Sequence, residues 1–203
     1  MTQAASTPKG ERRRAALVEA AAALLVEGGF DAVRHRAVAE RAGLPLASTT
    51  YYFDSLDDLV TAAVEHHSRM ELADGQRRLE ELTIRSRGAQ AQVELVLDML
   101  LGPARADREA DAEAVLLRYE RLVATGRRPY LRPLMRRLSV QFNGLLTEIF
   151  ARSGTPVDAT ELERLVALVD GAVVNALVAV DPEPRAAATR MLFAELNRAE
   201  ANP

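Results

Sequence analysis

An all-α fold follows from three features of this 203-residue chain. Ala, Leu, Arg and Glu are abundant, and these are strong helix formers. Apolar residues recur at helical spacing in one segment after another, and no segment of useful length alternates with the period of a strand. Glycine and proline fall between those segments, where helices stop and start. Hydrophobic residues make up 48% of the chain and charged residues 27%, enough apolar material for a real core, which excludes wholesale disorder.

Residues 1–10, rich in Thr, Ser, Ala, Pro and Gly, read as a disordered lead-in. A helix is expected from about Glu11 to Glu27, with Leu17, Ala20, Ala21, Leu24 and Leu25 on one face, stopped by Gly28-Gly29. Two short helices follow, Arg34–Ala42 and Leu46–Tyr52, separated by Gly43 as a left-handed cap and by Pro45, which suits a first turn. Neither is long enough to repay nucleation alone, so both must pack on the first helix as a three-helix unit.

Ser55 is a candidate N-cap for a longer helix, with Asp57 and Asp58 in its first turn. That helix either runs to Arg85 or breaks near Asp74-Gly75. Further helices are expected over Ala89–Leu101, Ala110–Thr125, Pro129–Arg152 (Pro133 in its first turn), Asp158–Val180 and Pro184 to about Ala199, with Asp181-Pro182 parting the last two. About nine helices result, three short ones and then six longer.

Composition excludes several functions. The absence of cysteine removes disulfides, thiolate metal sites and cysteine nucleophiles, and His35, His66 and His67 are too few for a histidine-rich metal site. His66-His67 reads as a mixed surface and packing pair. Arg12–Arg14 precede an apolar run, yet Glu19 interrupts it and no cleavage site follows, so an amphipathic helix is expected rather than a secretory signal. No apolar run approaches the roughly 20 residues of a membrane span. The expectation is a soluble, cytoplasmic protein with no membrane partner.

The chain carries 26 basic and 29 acidic residues, a net charge of −3 that does not by itself point to nucleic acid. All the basic residues except Lys9 are arginine. Their distribution is uneven, however: residues 1–53 are net +2 and the remaining 150 net −5. That asymmetry has the sign expected for a DNA-reading end on an acidic body, with salt-sensitive binding and a dimer needed for useful affinity.

A short helix, a glycine turn and a second short helix, preceded by a packing helix, make a helix-turn-helix pattern. In that arrangement the second short helix enters the major groove while the first braces it across the backbone. Gly29-Phe30-Asp31-Ala32, Val38-Ala39-Glu40-Arg41-Ala42-Gly43-Leu44, Thr50-Tyr51-Tyr52-Phe53, Ser55 and Asp58-Leu59 together resemble the DNA-binding domain of TetR-family transcriptional regulators. The resemblance covers residues 11–60 in detail; the remainder matches in length and helical architecture only.

The resemblance implies a recognition helix over Pro45–Tyr51, with Leu46, Ala47 and Ser48 facing base edges. Leu46 and Ala47 offer apolar contact, for instance to a thymine methyl, and Ser48 a hydrogen bond. Arg36 is the candidate for a bidentate guanine contact, and Thr50, Tyr51 and Tyr52 carry hydroxyls where family members hold phosphates. Val38, Ala39, Leu44, Thr49 and Phe53 are expected to form the small core.

Four positions depart from the family pattern. A phosphate-gripping lysine is replaced by Leu56, flanked by Asp54, Asp57 and Asp58. Leu46 replaces a polar or basic residue, Thr50 the usual tyrosine, and Arg34 the usual threonine. Arg34, His35 and the run Arg12-Arg13-Arg14 are therefore the candidate phosphate contacts; the run reads equally as a DNA arm or a solvated helix start.

In the C-terminal part, Leu162, Leu165, Val166, Val169, Val173, Ala176, Leu177 and Val180 form an apolar stripe. Ala187, Ala188, Met191, Leu192 and Leu196 form another on the last helix. Both read either as internal core or, as the resemblance implies, as a four-helix interface with a second copy. Met99, Leu100, Leu116, Tyr119, Met135, Phe142, Leu145 and Ile149 are candidates to line an effector cavity, with Arg118, Asn143 and Asn175 as polar anchors.

The sequence thus points to two domains, a helix-turn-helix over 11–54 and an effector-binding and dimerisation domain over 55–203. The expected protein is a homodimeric regulator, a repressor, that binds a palindromic operator and is released by a small molecule. The alternative is a helical ligand-binding or adaptor protein of the same fold that has lost specific DNA binding. No nucleophile–base pair, phosphate loop or metal-ligand spacing is present, so no enzyme and no cofactor is expected.

Overall fold

A computed structural model describes residues 7–81, 88–179 and 182–201. Among them the chain forms nine α-helices and no strand: α1 (Pro8–Ala32), α2 (His35–Ala42), α3 (Leu46–Tyr52), α4 (Leu56–Glu81), α5 (Gly88–Leu101), α6 (Arg108–Gly126), α7 (Arg132–Arg152), α8 (Ala159–Leu177) and α9 (Pro184–Ala201). A single 3-10 turn, Pro129–Leu131, precedes α7. The chain divides into two compact units, one of residues 1–70 and 120–136, the other of 71–119 and 137–203.

The division is not a single cut near residue 55, because α4, α6 and α7 each contribute to both units. Of the expected lead-in, residues 1–6 lie outside the described residues, and α1 already begins at Pro8. Thr7 caps it, its hydroxyl accepting from the Gly10 N–H at 3.2 Å. Arg85 and Val180, considered as helix ends, also lie outside the described residues, as does Asp181.

In the first unit, α1 buries Leu17, Ala20, Ala21 and Leu25, as its 3.6-residue spacing requires; Leu24 is half-buried. The helix breaks at Gly28 and Gly29, where Gly29 takes φ +68°, leaving one further turn to Ala32. Gly43, at φ 63° and ψ 32°, closes α2 in the left-handed conformation, its N–H bonded to Ala39 and Glu40 carbonyls. Pro45 stands just before α3 rather than in its first turn. Val33, Val38, Ala39, Phe53, Leu59 and Val60 complete a small core with Thr49, whose buried hydroxyl donates to the Leu46 carbonyl at 2.8 Å. Leu44, expected in this core, is half-buried.

Residues 120–136 close this unit by capping α1. The Arg121 guanidinium donates to the Val26 carbonyl at 3.3 Å, one of the groups a helix C-terminus leaves unpaired. The Arg128 guanidinium lies 3.8 Å over the Phe30 ring. Tyr130 sits beside Asp57; burial first, and that negative charge next, push its phenol above its ordinary range.

The second unit is built around Val93, Leu97, Leu146, Ile149, Phe150, Val169 and Leu192, with α9 packed on α5 and α8. Asp74-Gly75 does not break α4. Gly75 is buried in mid-helix, where a Cβ would stand 2.6 Å from Met99 Cε and 2.7 Å from Leu145 Cδ2. Glycine there permits a close approach of α5 and α7 rather than a turn.

Arginines join the helices of this unit. Arg185 on α9 donates through Nε to Asp111 (3.0 Å), through Nη1 to Asp98 (3.2 Å) and through Nη2 to the Gly102 carbonyl (2.7 Å). Asp98 also meets Arg78 at 2.6 Å, and Arg78 meets Asp74 at 2.9 Å. One chain of charges therefore ties α4, α5, α6 and α9 together.

Candidate nucleic-acid interface and ligand-binding unit

The surface of α2 and α3 is assembled from residues whose own elements hold them outward. α3 begins at Leu46, and Ser48 bonds its backbone N–H to the Pro45 carbonyl at 2.9 Å. Thr49 is the side of α3 turned to the core, so Leu46, Ala47, Thr50 and Tyr51 are left in solvent, with Ser48 and Tyr52 half-buried. Leu46 is 53% exposed and Tyr51 68% exposed, too much for either to serve as a packing residue in this chain. Tyr51 and Tyr52 meet edge-to-face at 4.8 Å.

Arg36, on the first turn of α2, is exposed and pairs with Glu40 at 3.0 Å one turn on, a contact of small energy that a stronger partner can replace. Arg34 is the N-terminal capping residue of α2 and donates to the Asp31 carbonyl at 2.9 Å. His35 is half-buried, and its Nδ1 is buried without a hydrogen-bond partner. Arg41 forms a two-pronged ion pair with Glu27, which fastens α2 to the end of α1 and lowers the Glu27 pKa.

The run Arg12–Arg14 divides among different tasks. Arg12 donates to the Pro8 carbonyl at 3.1 Å, and the Arg14 guanidinium lies 5.1 Å over the Phe53 ring. Leu56 opens α4 and is exposed, and Ser55 accepts from the Asp58 N–H at 3.1 Å as its cap.

In the second unit the expected effector residues are not brought together. Met99 and Tyr119 are buried, but Leu116, Asn143 and Asn175 are exposed and Met135 belongs to the first unit. Arg118 is committed to Glu71 and to the Leu100 and Met99 carbonyls at 2.8 and 3.1 Å. It neutralises the end of α5, so its guanidinium is not an open anchor. Tyr119 Oη donates to Asp170 Oδ1 at 2.7 Å; burial, then that hydrogen bond and the Asp170 charge, push the phenol well above its ordinary range. Sequence reading missed Asp170, although it is the only charged residue between Leu165 and Ala179.

The expected self-association stripe also needs correction. Leu162, Leu165, Val169, Val173 and Leu192 are buried within the chain's own core, and Val166, Ala176 and Leu177 are half-buried. Helical periodicity marks a buried face without saying which partner buries it. What α8 and α9 leave exposed is the adjoining face, Ala167, Gly171 and Val174, then Val178 at 81% exposure, with Met191 and Ala194 on α9.

A short helix braced by another across a left-handed glycine, its outer face in solvent, is a helix-turn-helix, the architecture of a DNA-binding head. Residues 17–63 match the model of the bacterial regulatory proteins of the tetR family, and residues 87–198 that of the tetracyclin repressor-like C-terminal domain. The chain belongs to the TetR family of transcriptional regulators, which are DNA-binding proteins and not enzymes.

Solved structures agree. The multidrug binding protein EbrR complexed with malachite green is 32% identical, with 90% of this chain and 96% of that chain covered and a TM-score of 0.58. EbrR complexed with ethidium is 30% identical, with 93% and 99% covered and a TM-score of 0.62. A TetR-family member from Streptomyces coelicolor A3, SCO1917, is 29% identical, with 90% and 96% covered and a TM-score of 0.56. No curated protein matches the chain. Among the described residues, no helix is long and apolar enough to cross a membrane.

Proposed function

We propose that the protein is a homodimeric repressor that binds a palindromic operator through α2 and α3 and leaves it when a small molecule binds the second unit. The supporting observation is the outer face of α3, where Leu46, Ala47, Thr50 and Tyr51 are exposed beside Ser48. In this reading Leu46 and Ala47 make apolar contacts to thymine methyls, Ser48 and Arg36 hydrogen-bond base edges, and the hydroxyls of Thr50, Tyr51 and Tyr52 hold phosphates. His35 and Arg13 add to the phosphate grip; Arg12, Arg14 and Arg34 join them only by giving up their contacts within the chain.

A two-fold operator needs two reading helices about one helical turn apart, and hence a symmetric dimer. The exposed small and apolar residues of α8 and α9, Ala167, Gly171, Val174, Val178, Met191 and Ala194, are the surface proposed for it. An effector acts by favouring the form whose reading helices cannot span the two half-sites. That EbrR has been solved with ethidium and with malachite green supports a small-molecule effector.

Electrophoretic mobility with palindromic fragments from the protein's own promoter region tests the reading. A shift at low salt that weakens steeply as salt rises is expected. No shift at any salt would overturn it in favour of an adaptor with this fold.

A further inference from the structure

One segment decides the sign of the first unit's charge. Residues 1–70 carry 8 basic and 9 acidic residues, so the helix-turn-helix and the helices around it are not cationic by themselves. Residues 120–136, the other part of the unit, add five arginines against the single carboxylate of Glu120, which makes the unit net +3. From Arg121 to Arg136 the chain holds no acidic residue.

Two of these arginines are engaged. Arg121 donates to the Val26 carbonyl, and Arg128 donates to the Ala124 carbonyl at 2.8 Å while lying over the Phe30 ring. Arg127, Arg132 and Arg136 are exposed, and among the described residues their guanidiniums meet no carboxylate, carbonyl or ring. Arg132 and Arg136 stand one turn apart on the same face of α7. Like charges gathered within ten residues repel one another, and a polyanion relieves that repulsion.

The place of the segment in the unit says which polyanion. Arg128 covers Phe30, whose neighbour Asp31 accepts from Arg34 at the entry to α2. Tyr130 stands beside Asp57 on the first turn of α4, one residue from Leu56. The segment therefore adjoins the starts of α2 and α4. At the second of these Leu56 stands, among Asp54, Asp57 and Asp58, where the family pattern has a phosphate-gripping lysine.

We infer that Arg127, Arg132 and Arg136 form a second set of phosphate contacts, gripping the DNA backbone beyond the phosphates held by α2 and α3 and supplying the charge that the start of α4 lacks. The inference rests on the reading of α2 and α3 as the operator-reading surface. Phosphate contacts carry no base information. These arginines therefore add affinity for any duplex and leave the choice of sequence to Arg36 and α3.

Fluorescence anisotropy of the full-length protein tests this, with the palindromic promoter fragment and with a duplex of equal length and unrelated sequence, each over a series of salt concentrations. Arg127→Gln, Arg132→Gln and Arg136→Gln are combined in one variant. It should bind both duplexes about tenfold or more weakly, with their affinity ratio unchanged. Its slope of log affinity against log salt should be shallower by about 2, one phosphate contact of about 0.9 lost from each of two copies. Lysine at the same three positions should keep the wild-type slope, because a point charge still attracts phosphate. Arg105→Gln, which removes an exposed charge from the second unit, should leave both affinities unchanged. Circular dichroism checks the fold; should the triple variant fail to fold, the summed slope changes of Arg127→Gln and Arg132→Gln take its place.

Equal affinity and slope in the wild type and the glutamine variant overturn the inference and leave the segment to an acidic protein partner. A changed affinity ratio overturns it as well, since phosphate contacts cannot alter sequence preference. Arg36→Ala, measured alongside, separates the two readings. If Arg36→Ala weakens the palindromic fragment and the glutamine variant does not, the second phosphate set falls alone. If the glutamine variant weakens both duplexes but the wild type shows no preference for the palindrome, the repressor reading falls alone. A wild type that binds neither duplex sinks both.

Discussion

Arginine inside the second unit does opposite work to arginine on the outer face of the first, although Arg41, Arg121 and Arg128 join elements of the first unit as well. In the second, Arg78, Arg118, Arg152 and Arg185 reach across helices to carboxylates or to carbonyls at helix ends, and their side chains are at least half withdrawn from solvent. In the first, Arg13, Arg34 and Arg36 stay exposed, and the pair Arg36–Glu40 is a single contact along one helix. The comparison separates scaffold from surface: a guanidinium spent on several fixed acceptors holds helices together, while one left in water is available to something else. It also shows why the net charge of −3 misleads: residues 1–53 are net +2, and the acidic excess lies in the remaining 150.

The largest effect should come from breaking the scaffold use. Arg185→Ala strips Asp111 of its guanidinium and leaves it one backbone donor, the Arg105 N–H at 2.9 Å, while Asp98 keeps only Arg78. A loss of about 2–4 kcal/mol is expected, short of the full range for buried pairs because Arg185 retains some contact with water. Urea denaturation of the full-length protein measures it. A loss under about 1 kcal/mol would mean that the chain of charges contributes little, and the contrast between the units would fall with it.

The surface use should show the reverse pattern. Arg36→Ala and Tyr51→Phe should each weaken operator binding by roughly tenfold, about 1–2 kcal/mol, with little change in the urea midpoint. Arg36→Ala should relax the base preference at one position, whereas Tyr51→Phe should weaken all sequences alike. Binding curves against operator variants distinguish the two. An Arg36→Ala protein that loses stability but binds operator normally would place this arginine with the scaffold.

How much of this was legible in the sequence depended on whether the signal was local. Gly43 and the short helix Leu46–Tyr52 were readable because a left-handed cap and a proline act within a few residues. Asp74-Gly75 was ambiguous because the reason for Gly75 lies in Met99 and Leu145, far along the chain. The apolar spacing of α8 located a buried face, but Leu162, Leu165, Val169 and Val173 turned out to serve the chain's own core. Arg118 looked like a ligand anchor because sequence cannot show that the carbonyls of Met99 and Leu100 occupy it. Asp170 stands out in the sequence as a lone charge in an apolar run, but its partner Tyr119, 51 residues earlier, could not be read from that run.

The smallest effect expected comes from the ion pairs joining α8 to α9, which sit between the two uses of arginine. Arg198 and then Arg164 lower the Glu195 pKa, and Arg164 lowers that of Glu161. Arg164 reaches both carboxylates at 2.6 Å. Because the folded-state values lie below those of the unfolded chain, the unfolded chain takes up protons first as pH falls. The stabilisation is therefore complete above about pH 4.5 and is lost as pH drops through the lowered values. Arg164→Ala should reduce the melting temperature at pH 7 by about 1–3 °C, as befits partly exposed pairs. Melting curves of both proteins from pH 7 to about pH 3.5 check the sign: the gap between them should narrow on acidification. A gap that stays constant would show that Arg164 acts through the packing of its aliphatic stem and not through its charge.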